Sequence, residues 1–293
     1  MLLEPTLNEI NKLFRLHGMN DEIIRLRRLS GTTDGLVLRV ESSKDDKYIL
    51  KYDSPKQIQL VEQLLSVYKN SILLPNILHS SQDSTYLVYS FIEGTTHVDR
   101  GIKKSWLKKL TQDLFNNYIK YQGESMWGRL EYPRQSWKEF NDISIEEARI
   151  NIGNELSNDD YKLVKSTADH LFANDLEQGE RFLLHGDTGV HNFVYHDSTL
   201  VGVIDPSPMV GPIIYDFIYA FCSSPDDLNK ETLIAAYESL EQGRVNKSRL
   251  IAETLIQLYC RIGLSIKHHP SDFTEYKKAW EDWKKICRQL EEY

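Results

Sequence analysis

One short stretch constrains this chain more than any other, because it sets two carboxylates and an amide at fixed positions between apolar segments. It reads His185, Gly186, Asp187, four further residues and Asn192, and Asp205 follows the next apolar run. Phosphate transfer to a hydroxyl group needs one carboxylate beside the attacking oxygen and further oxygen ligands for Mg²⁺. Asp187 is therefore the predicted catalytic residue, and Asn192 and Asp205 are the predicted metal ligands. A lone Asp and Asn pair would indicate only a turn.

The composition is that of an ordinary globular protein. The chain has 293 residues, of which 41% are hydrophobic and 27% charged, and its net charge is −8. This charge argues against a nucleic-acid partner, since nonspecific binding relies on clustered Lys and Arg. No apolar run reaches the roughly 20 residues of a membrane span, and the first residues lack signal-peptide features. We expect a cytoplasmic location and no membrane partner; the oligomeric state is not indicated.

The first 92 residues alternate short apolar runs with turn residues, which is typical of an antiparallel sheet. Strands are predicted over 23–30, 36–41, 48–52, 77–80 and 85–91, and helices over 7–16 and 55–68. The second helix shows apolar residues at helical spacing after Ser54 and Pro55, which suit its cap and first turn. The predicted first domain is residues 1–92, a β-rich lobe.

Beyond Gly94 the pattern changes to long helices, so residues 93–293 form the predicted second domain. Helices are predicted over 106–121, 137–152, 159–176, 230–240, 248–266 and 273–290. Two short strands flank the turn at residues 196–199 and form a predicted hairpin. Asn192 lies at one end of this hairpin and Asp205 at the other, so pairing of the strands would bring both predicted metal ligands together. The fold class is α+β.

The motif from His185 to Asn192, followed by Ile204 and Asp205, resembles that of the aminoglycoside phosphotransferase and choline kinase family. The resemblance spans nearly the whole chain. It implies a two-lobed protein-kinase-like fold, with an antiparallel sheet lobe that binds nucleotide and a larger helical lobe that carries the catalytic loop. It also implies ATP or GTP as co-substrate, together with Mg²⁺. The family usually has Leu-His-Pro-Gly inside this motif, so the substrate contacts of the differing residues 188–191 are not carried over.

Lys51 is the predicted nucleotide-binding lysine, since kinase-like folds use a strand lysine to hold the α- and β-phosphates. Its predicted partner is Glu62, the carboxylate in the middle of the following helix. Lys44 and Lys47 compete for the role, but both lie in a charged turn. The alternative interpretation is that Lys51 is a surface residue, as a single lysine in a strand usually is.

Two further segments resemble nucleotide-binding parts of the family. Ser30, Gly31, Thr32 and Thr33 lie in the turn between the first two strands and could cover the phosphates, although an ordinary hairpin turn would look similar. In the run 86–94, the backbone of Ser90 and Ile92 would meet the adenine edge. An ordinary buried strand leading into a loop predicts the same pattern.

The acceptor is predicted to be a small molecule rather than a protein. Gly186 stands where protein kinases carry the Arg of H-R-D, and only residues 206–215 separate Asp205 from Asp216. This leaves little room for an activation loop, and Asp216 is predicted to brace the catalytic loop. The acceptor would be an aminoglycoside-, choline-, amino-alcohol- or sugar-like alcohol, with a cationic compound favoured by acidic residues such as Glu146 and Glu147. Those residues could equally form a solvated helical surface.

Two alternatives stay open. The chain could be a nucleotide-binding pseudokinase or regulatory module that no longer transfers phosphate. It could also be a hydrolase that uses His185 and Asp187, but a G-x-S-x-G nucleophile motif is missing from the sequence.

Overall fold

The computed structural model describes residues 4–29, 35–96, 98–173 and 180–291, and the chain divides into two compact units. The first, called the sheet unit here, comprises Met1–Gly94 and Val201–Ile204. The second, the helical unit, comprises Thr95–Leu200 and Asp205–Tyr293. Within the four described ranges, none of the helices combines the length and apolar character that a membrane crossing requires.

The sheet unit is built on five antiparallel strands in the order β1-β2-β3-β5-β4. The strands are β1 (Ile23–Arg28), β2 (Leu36–Ser42), β3 (Lys47–Tyr52), β4 (Ile77–Ser80) and β5 (Tyr86–Ser90), and the helices are α1 (Leu7–Leu16) and α2 (Pro55–Val67). Helix α1 begins at a capping box in which Thr6 and Glu9 each bond the other's backbone N–H. Its buried face, Ile10 and Phe14, packs in one apolar cluster with strand residues such as Leu50.

The helical unit contains seven described helices and short strands. The helices are α3 (Lys103–Asp113), α4 (Trp137–Ile152), α5 (Asn158–Leu171), α6 (Ile213–Cys222), α7 (Lys230–Tyr237), α8 (Lys247–His268) and α9 (Phe273–Glu291). The strands are β6 (Gly128–Arg129), β7 (Phe182–Leu184), β8 (Phe193–His196), β9 (Thr199–Val203) and β10 (Met209–Gly211), of which the last residues of β9 belong to the sheet unit. Strands β6, β10 and β7 form a three-stranded sheet, and β8 and β9 pair as the predicted hairpin.

The structure shortens three predicted helices and adds one that was not predicted. The helix predicted over 230–240 ends at Tyr237. The helix predicted over 106–121 begins at Lys103 and ends at Asp113, where a separate 3₁₀ turn, Phe115–Asn117, follows. The helix predicted over 159–176 ends at Leu171, and residues 174–176 lie outside the described ranges. Helix α6 was not predicted at all. It is apolar almost all round, so it lacks the one-sided periodicity that marks an amphipathic helix.

Candidate active site

The catalytic loop, defined as residues 185–192, begins where the buried strand β7 ends. Gly186 has a φ of 78°, in the left-handed region that favours glycine. A Cβ atom at this position would lie 2.1 Å from the backbone oxygen of Ser207. The same segment is tied down from the other side, because the Ser207 N–H donates to the His185 carbonyl at 2.9 Å. Glycine therefore allows the backbone beyond Asp205 to approach the loop closely.

The Asp187 carboxylate is held by two side chains. The Tyr219 hydroxyl donates to Oδ1 at 3.1 Å, and His191 Nε2 lies 3.4 Å from Oδ2. Burial opposes ionisation, but the hydrogen bond and charge of His191, helped by the Arg129 guanidinium, outweigh it and lower the pKa of Asp187 to about 2. Burial also raises the pKa of Tyr219 well above its ordinary value, so its hydroxyl stays a donor. The carboxylate is thus ionised and fixed in orientation.

Asn192 and Asp205 offer hard oxygen donors. The Asn192 amide nitrogen donates to the Asp187 backbone oxygen at 3.0 Å, which leaves its Oδ1 as the acceptor atom of that amide. Asp205 has a φ of 53°, in the left-handed region that Asp tolerates better than most residues. Across the described ranges no cluster of three or more His, Cys, Asp or Glu is placed to bind a metal. One amide and one carboxylate nevertheless fit Mg²⁺, which keeps several waters and phosphate oxygens as ligands.

Helix α6 presents one face to the catalytic loop. Asp216 Oδ2 accepts from the Gly186 N–H at 3.1 Å and from the Tyr118 hydroxyl at 2.7 Å. One turn further on, Tyr219 donates to Asp187, and one turn beyond that the Ser223 hydroxyl accepts from the Val190 N–H at 3.2 Å. These contacts confirm the bracing role predicted for Asp216.

The atypical residues inside the motif have their own contacts. Thr188 is fully buried, and its hydroxyl donates to the Asp216 backbone oxygen at 2.8 Å. Val190 is bonded to Ser223, and His191 faces Asp187, as described above. The departure from Leu-His-Pro-Gly therefore leaves the loop anchored along its length.

The pH dependence of stability should report on Asp216. Burial raises the pKa of this fully buried carboxyl to about 6, although bonds from Tyr118 and Gly186 oppose the rise. Between about pH 4 and pH 6 the folded chain then holds a proton that the unfolded chain has released, so the free energy of unfolding falls as pH rises through this window. We expect the free energy of unfolding of Asp216→Asn not to fall in this window. Its difference from the parent chain should therefore grow in favour of the variant by about 2 to 3 kcal/mol between pH 4 and pH 7. Urea unfolding at both pH values measures it; a difference that stays constant with pH would contradict the raised pKa.

A cavity of about 330 Å³ lies beside the loop within the helical unit. Its walls come from α4, α6, α8 and the segment 129–134, and they include Arg129, Arg134, Glu147, Tyr215 and Tyr219. Because Tyr219 also bonds Asp187, the carboxylate lies one hydrogen bond behind the cavity wall. A volume of this size suits a small ligand, since pockets for drug-sized molecules run from about 300 to 1,000 Å³.

Sequence comparison decides the family. A model described as the phosphotransferase enzyme family, APH, matches residues 25–245, well over half of the chain. The chain belongs to this phosphotransferase family. Both the predicted family and the predicted class of enzyme, a kinase that phosphorylates an alcohol group of a small molecule, are confirmed. A comparison with curated protein sequences returned no match.

Solved structures show the same fold at low sequence identity. APH(2″)-IIIa in its complex with GDP and kanamycin is 14% identical, with a TM-score of 0.62 and coverage of 96% of this chain and 99% of that one. Macrolide 2′-phosphotransferase MphH from Brachybacterium faecium is 14% identical, with a TM-score of 0.60 and coverage of 93% and 96%. A protein assigned as a fructosamine-3-kinase from Thermobifida fusca is 14% identical, with a TM-score of 0.59 and coverage of 95% and 100%. The α+β, protein-kinase-like fold is confirmed.

The sheet unit of this phosphotransferase carries the residues predicted to bind nucleotide. Lys51 lies buried on β3, with Nζ 4.0 Å from Asp53 Oδ2. Glu62 lies on α2 and accepts a hydrogen bond from the Ser80 hydroxyl at 2.8 Å. The ion pair between Lys51 and Glu62 stays a prediction.

The residues predicted to meet the adenine edge lie at the end of β5 and just beyond it. Ser90 ends β5, and its hydroxyl accepts from the Asn76 N–H at 2.9 Å. Ile92 packs against Gly202, where a Cβ atom would lie 2.6 Å from Ile92 Cδ1. The predicted loop residues Ser30, Gly31, Thr32 and Thr33 lie outside the described ranges.

Sequence reasoning missed the residues that link the phosphotransferase loop to the cavity. Arg129 donates to the Gly186 carbonyl at 3.3 Å and to the Ser207 hydroxyl at 2.5 Å, and Tyr219 contacts Asp187. Along α6 and its C-cap, the spacing of Asp216, Tyr219 and Ser223 on one helical face is the signal that could have found Tyr219. Arg129 gives no comparable signal.

Of the two acidic residues taken to favour a cationic acceptor, Glu147 lines the cavity. Glu146 instead pairs with Arg149 on the same helix.

Proposed function

We propose that this phosphotransferase moves the γ-phosphate of ATP or GTP to a hydroxyl group of a small molecule bound in the cavity of the helical unit. Asp187 is the proposed base, and Asn192 and Asp205 are the proposed ligands of Mg²⁺. The observation that carries this proposal is the ionised Asp187 carboxylate, which Tyr219 holds one hydrogen bond behind the cavity wall.

In the proposed reaction the acceptor oxygen forms a bond to the γ-phosphorus while the bond from that phosphorus to the bridging oxygen breaks. The nucleoside diphosphate leaves with the electron pair of the broken bond, and the hydroxyl proton passes to Asp187 and then to water. A carboxylate with a pKa of about 2 is a weak base. Asp187 therefore orients the hydroxyl in the ground state and receives its proton only as the new bond acidifies it, which suits the loose transition state of phosphoryl transfer.

The surrounding residues have separate proposed tasks. Tyr219 and His191 keep Asp187 aimed, and Asp216 keeps the loop backbone in place. Bound Mg²⁺ would neutralise charge on the β- and γ-phosphates. In the sheet unit, Lys51 supported by Glu62 would hold the phosphates. Residues 30–33 would cover them, and the backbone of Ser90 and Ile92 would meet the base.

Similar folds that hold nucleotide support this proposal, since the APH(2″)-IIIa structure contains GDP and kanamycin. The choice between ATP and GTP, a cytoplasmic location, and the absence of nucleic-acid and membrane partners remain predictions.

Nucleotide with Mg²⁺ should raise the melting temperature of the full chain. At 100 times Kd, binding adds about 2.7 kcal/mol, which corresponds to a shift of about 5 to 10 °C for a chain of this size. Lys51→Met should remove most of the shift, because it takes a buried ammonium away from the proposed phosphate site. Lys44→Met is the matched control, since Lys44 lies in an exposed turn and pairs with Asp21. No shift with either nucleotide would contradict the proposed function, and an equal loss in both variants would contradict the role of Lys51.

Transfer itself is tested by nucleotide consumption and phosphorus NMR over a panel of hydroxyl compounds. A chain that binds nucleotide tightly yet phosphorylates none of them would favour the pseudokinase alternative.

A further inference from the structure

The charges that line the cavity differ from the charge of the chain as a whole. The chain carries −8, whereas the charged groups of the cavity wall are Arg129, Arg134 and Glu147. The Arg129 guanidinium is already engaged by the Gly186 carbonyl and the Ser207 hydroxyl. Arg134 and Glu147 are therefore the charged groups left to meet a ligand. A purely cationic acceptor would leave the charge of Arg134 unmatched.

Arg134 is placed by its backbone rather than by its side chain. Its N–H donates to the Trp127 carbonyl at 2.8 Å and its carbonyl accepts from the Trp127 N–H at 3.1 Å, which closes the segment just before α4. Arg134 is a partly buried residue, and its guanidinium forms no ion pair with any residue in the described part of the chain. An arginine held in this way can bind a carboxylate without first breaking an internal bond.

Glu147 lies on α4 and likewise forms no ion pair within the four described ranges. The preceding residue, Glu146, forms an ion pair with Arg149, so this arginine of α4 is paired with Glu146 rather than with Glu147. Arg134 and Glu147 therefore line one cavity with opposite charges that do not neutralise each other. Neutral polar groups of the same wall, such as Asn151 and Gln257, can bond hydroxyl groups of the ligand.

We propose that the phosphate acceptor is a small zwitterion, a hydroxyl compound whose carboxylate binds Arg134 and whose ammonium binds Glu147. Hydroxy-amino acids and sugars joined to an amino acid belong to this class. The inference rests on the proposed function, because it assigns the cavity to the acceptor. The transfer is unchanged: the acceptor hydroxyl takes the γ-phosphate, its proton leaves through Asp187, and the nucleoside diphosphate is released. The cavity volume of about 330 Å³ is large enough for an acceptor of this size.

Matched ligands test the two charges separately. Binding of homoserine and of fructosyl-glycine to the full chain is measured by calorimetry, beside their carboxamides, which lack the anion, and their N-acetyl derivatives, which lack the cation. We expect each neutralised compound to bind about tenfold or more weakly than its parent, as the loss of one charge-assisted hydrogen bond predicts. Equal binding of parent and carboxamide, or tighter binding of kanamycin than of either zwitterion, would overturn the proposal.

Variants assign each effect to its residue. In Arg134→Gln the preference for carboxylate over carboxamide should disappear while the preference for the free amine remains, and Glu147→Gln should show the reverse. Arg149→Gln, on the same helix as Glu147 but outside the cavity wall, should keep both preferences. If both preferences survive in Arg134→Gln and Glu147→Gln, the proposal is wrong even if zwitterions bind.

The two proposals can fail independently. Zwitterion binding with these preferences but without phosphate transfer would leave the binding inference standing and refute the proposed function. Phosphate transfer to acceptors without a carboxylate, at rates that Arg134→Gln does not change, would support the proposed function and refute the inference of a zwitterionic acceptor.

Discussion

Asp187→Asn is expected to lower kcat by about 10²- to 10⁴-fold, the range typical of a lost general base. The amide has the shape of the carboxylate and can still accept the Tyr219 hydrogen bond, so the loop should keep its structure. It cannot take the acceptor proton. The melting-temperature shift caused by nucleotide and Mg²⁺ should therefore remain close to that of the parent chain. Steady-state kinetics and thermal melts on the same preparation measure both quantities.

Asp159→Asn is the matched control for this substitution. Asp159 is an exposed carboxylate at the start of α5, where it pairs with Lys162, and its loss should leave kcat unchanged. If Asp187→Asn keeps more than about a tenth of the parent kcat, Asp187 does not act as the base that the proposal requires. If it loses the nucleotide shift, Asp187 contributes to nucleotide or metal binding instead.

The elements that the sequence predicts best are those with local signals. Helices α1 and α4 begin where predicted because Thr6 and Ser136 supply side-chain caps, and their buried residues recur at helical spacing. Helix α6 gives no such pattern. Nine of the ten residues of α6 are buried, so its sequence shows no polar face that alternates with an apolar one.

The residues of the candidate site also differ in whether a local sequence signal predicts them. Asp187, Asn192 and Asp205 lie within 19 positions of one another, and their spacing carries their chemistry. Tyr219 and Arg129 reach the loop only because α6 and the three-stranded sheet bring distant segments together. The charge of the cavity also depends on tertiary structure, since Arg134 and Glu147 meet there from different segments. For this reason we propose a zwitterionic acceptor, whereas the composition alone predicts a cationic one.

Gly186→Ala is the substitution expected to damage both stability and activity. Its left-handed φ of 78° alone costs an alanine about 1 to 2 kcal/mol. The new methyl group would also lie 2.1 Å from the Ser207 carbonyl oxygen, a backbone atom that cannot rotate away. Either the segment beyond Asp205 or the catalytic loop must then move. We expect the free energy of unfolding to fall by about 3 kcal/mol or more, together with a large loss of kcat.

Gly153→Ala separates these two causes. Gly153 ends α4 with a φ of 56°, in the same unit, and a Cβ atom there would have no neighbour within 4 Å. This control should therefore show the cost of a glycine-type backbone conformation without a steric contact, with kcat unchanged. Urea unfolding and kinetics on both variants make the comparison. Equal losses of stability and full activity in Gly186→Ala would mean that the contact with Ser207 relaxes freely. A larger loss of stability in Gly186→Ala than in Gly153→Ala, together with folded but inactive protein, would support a positioning role for Gly186. The glycine would then orient the proposed catalytic carboxylate of Asp187 by allowing two backbone segments to come into contact.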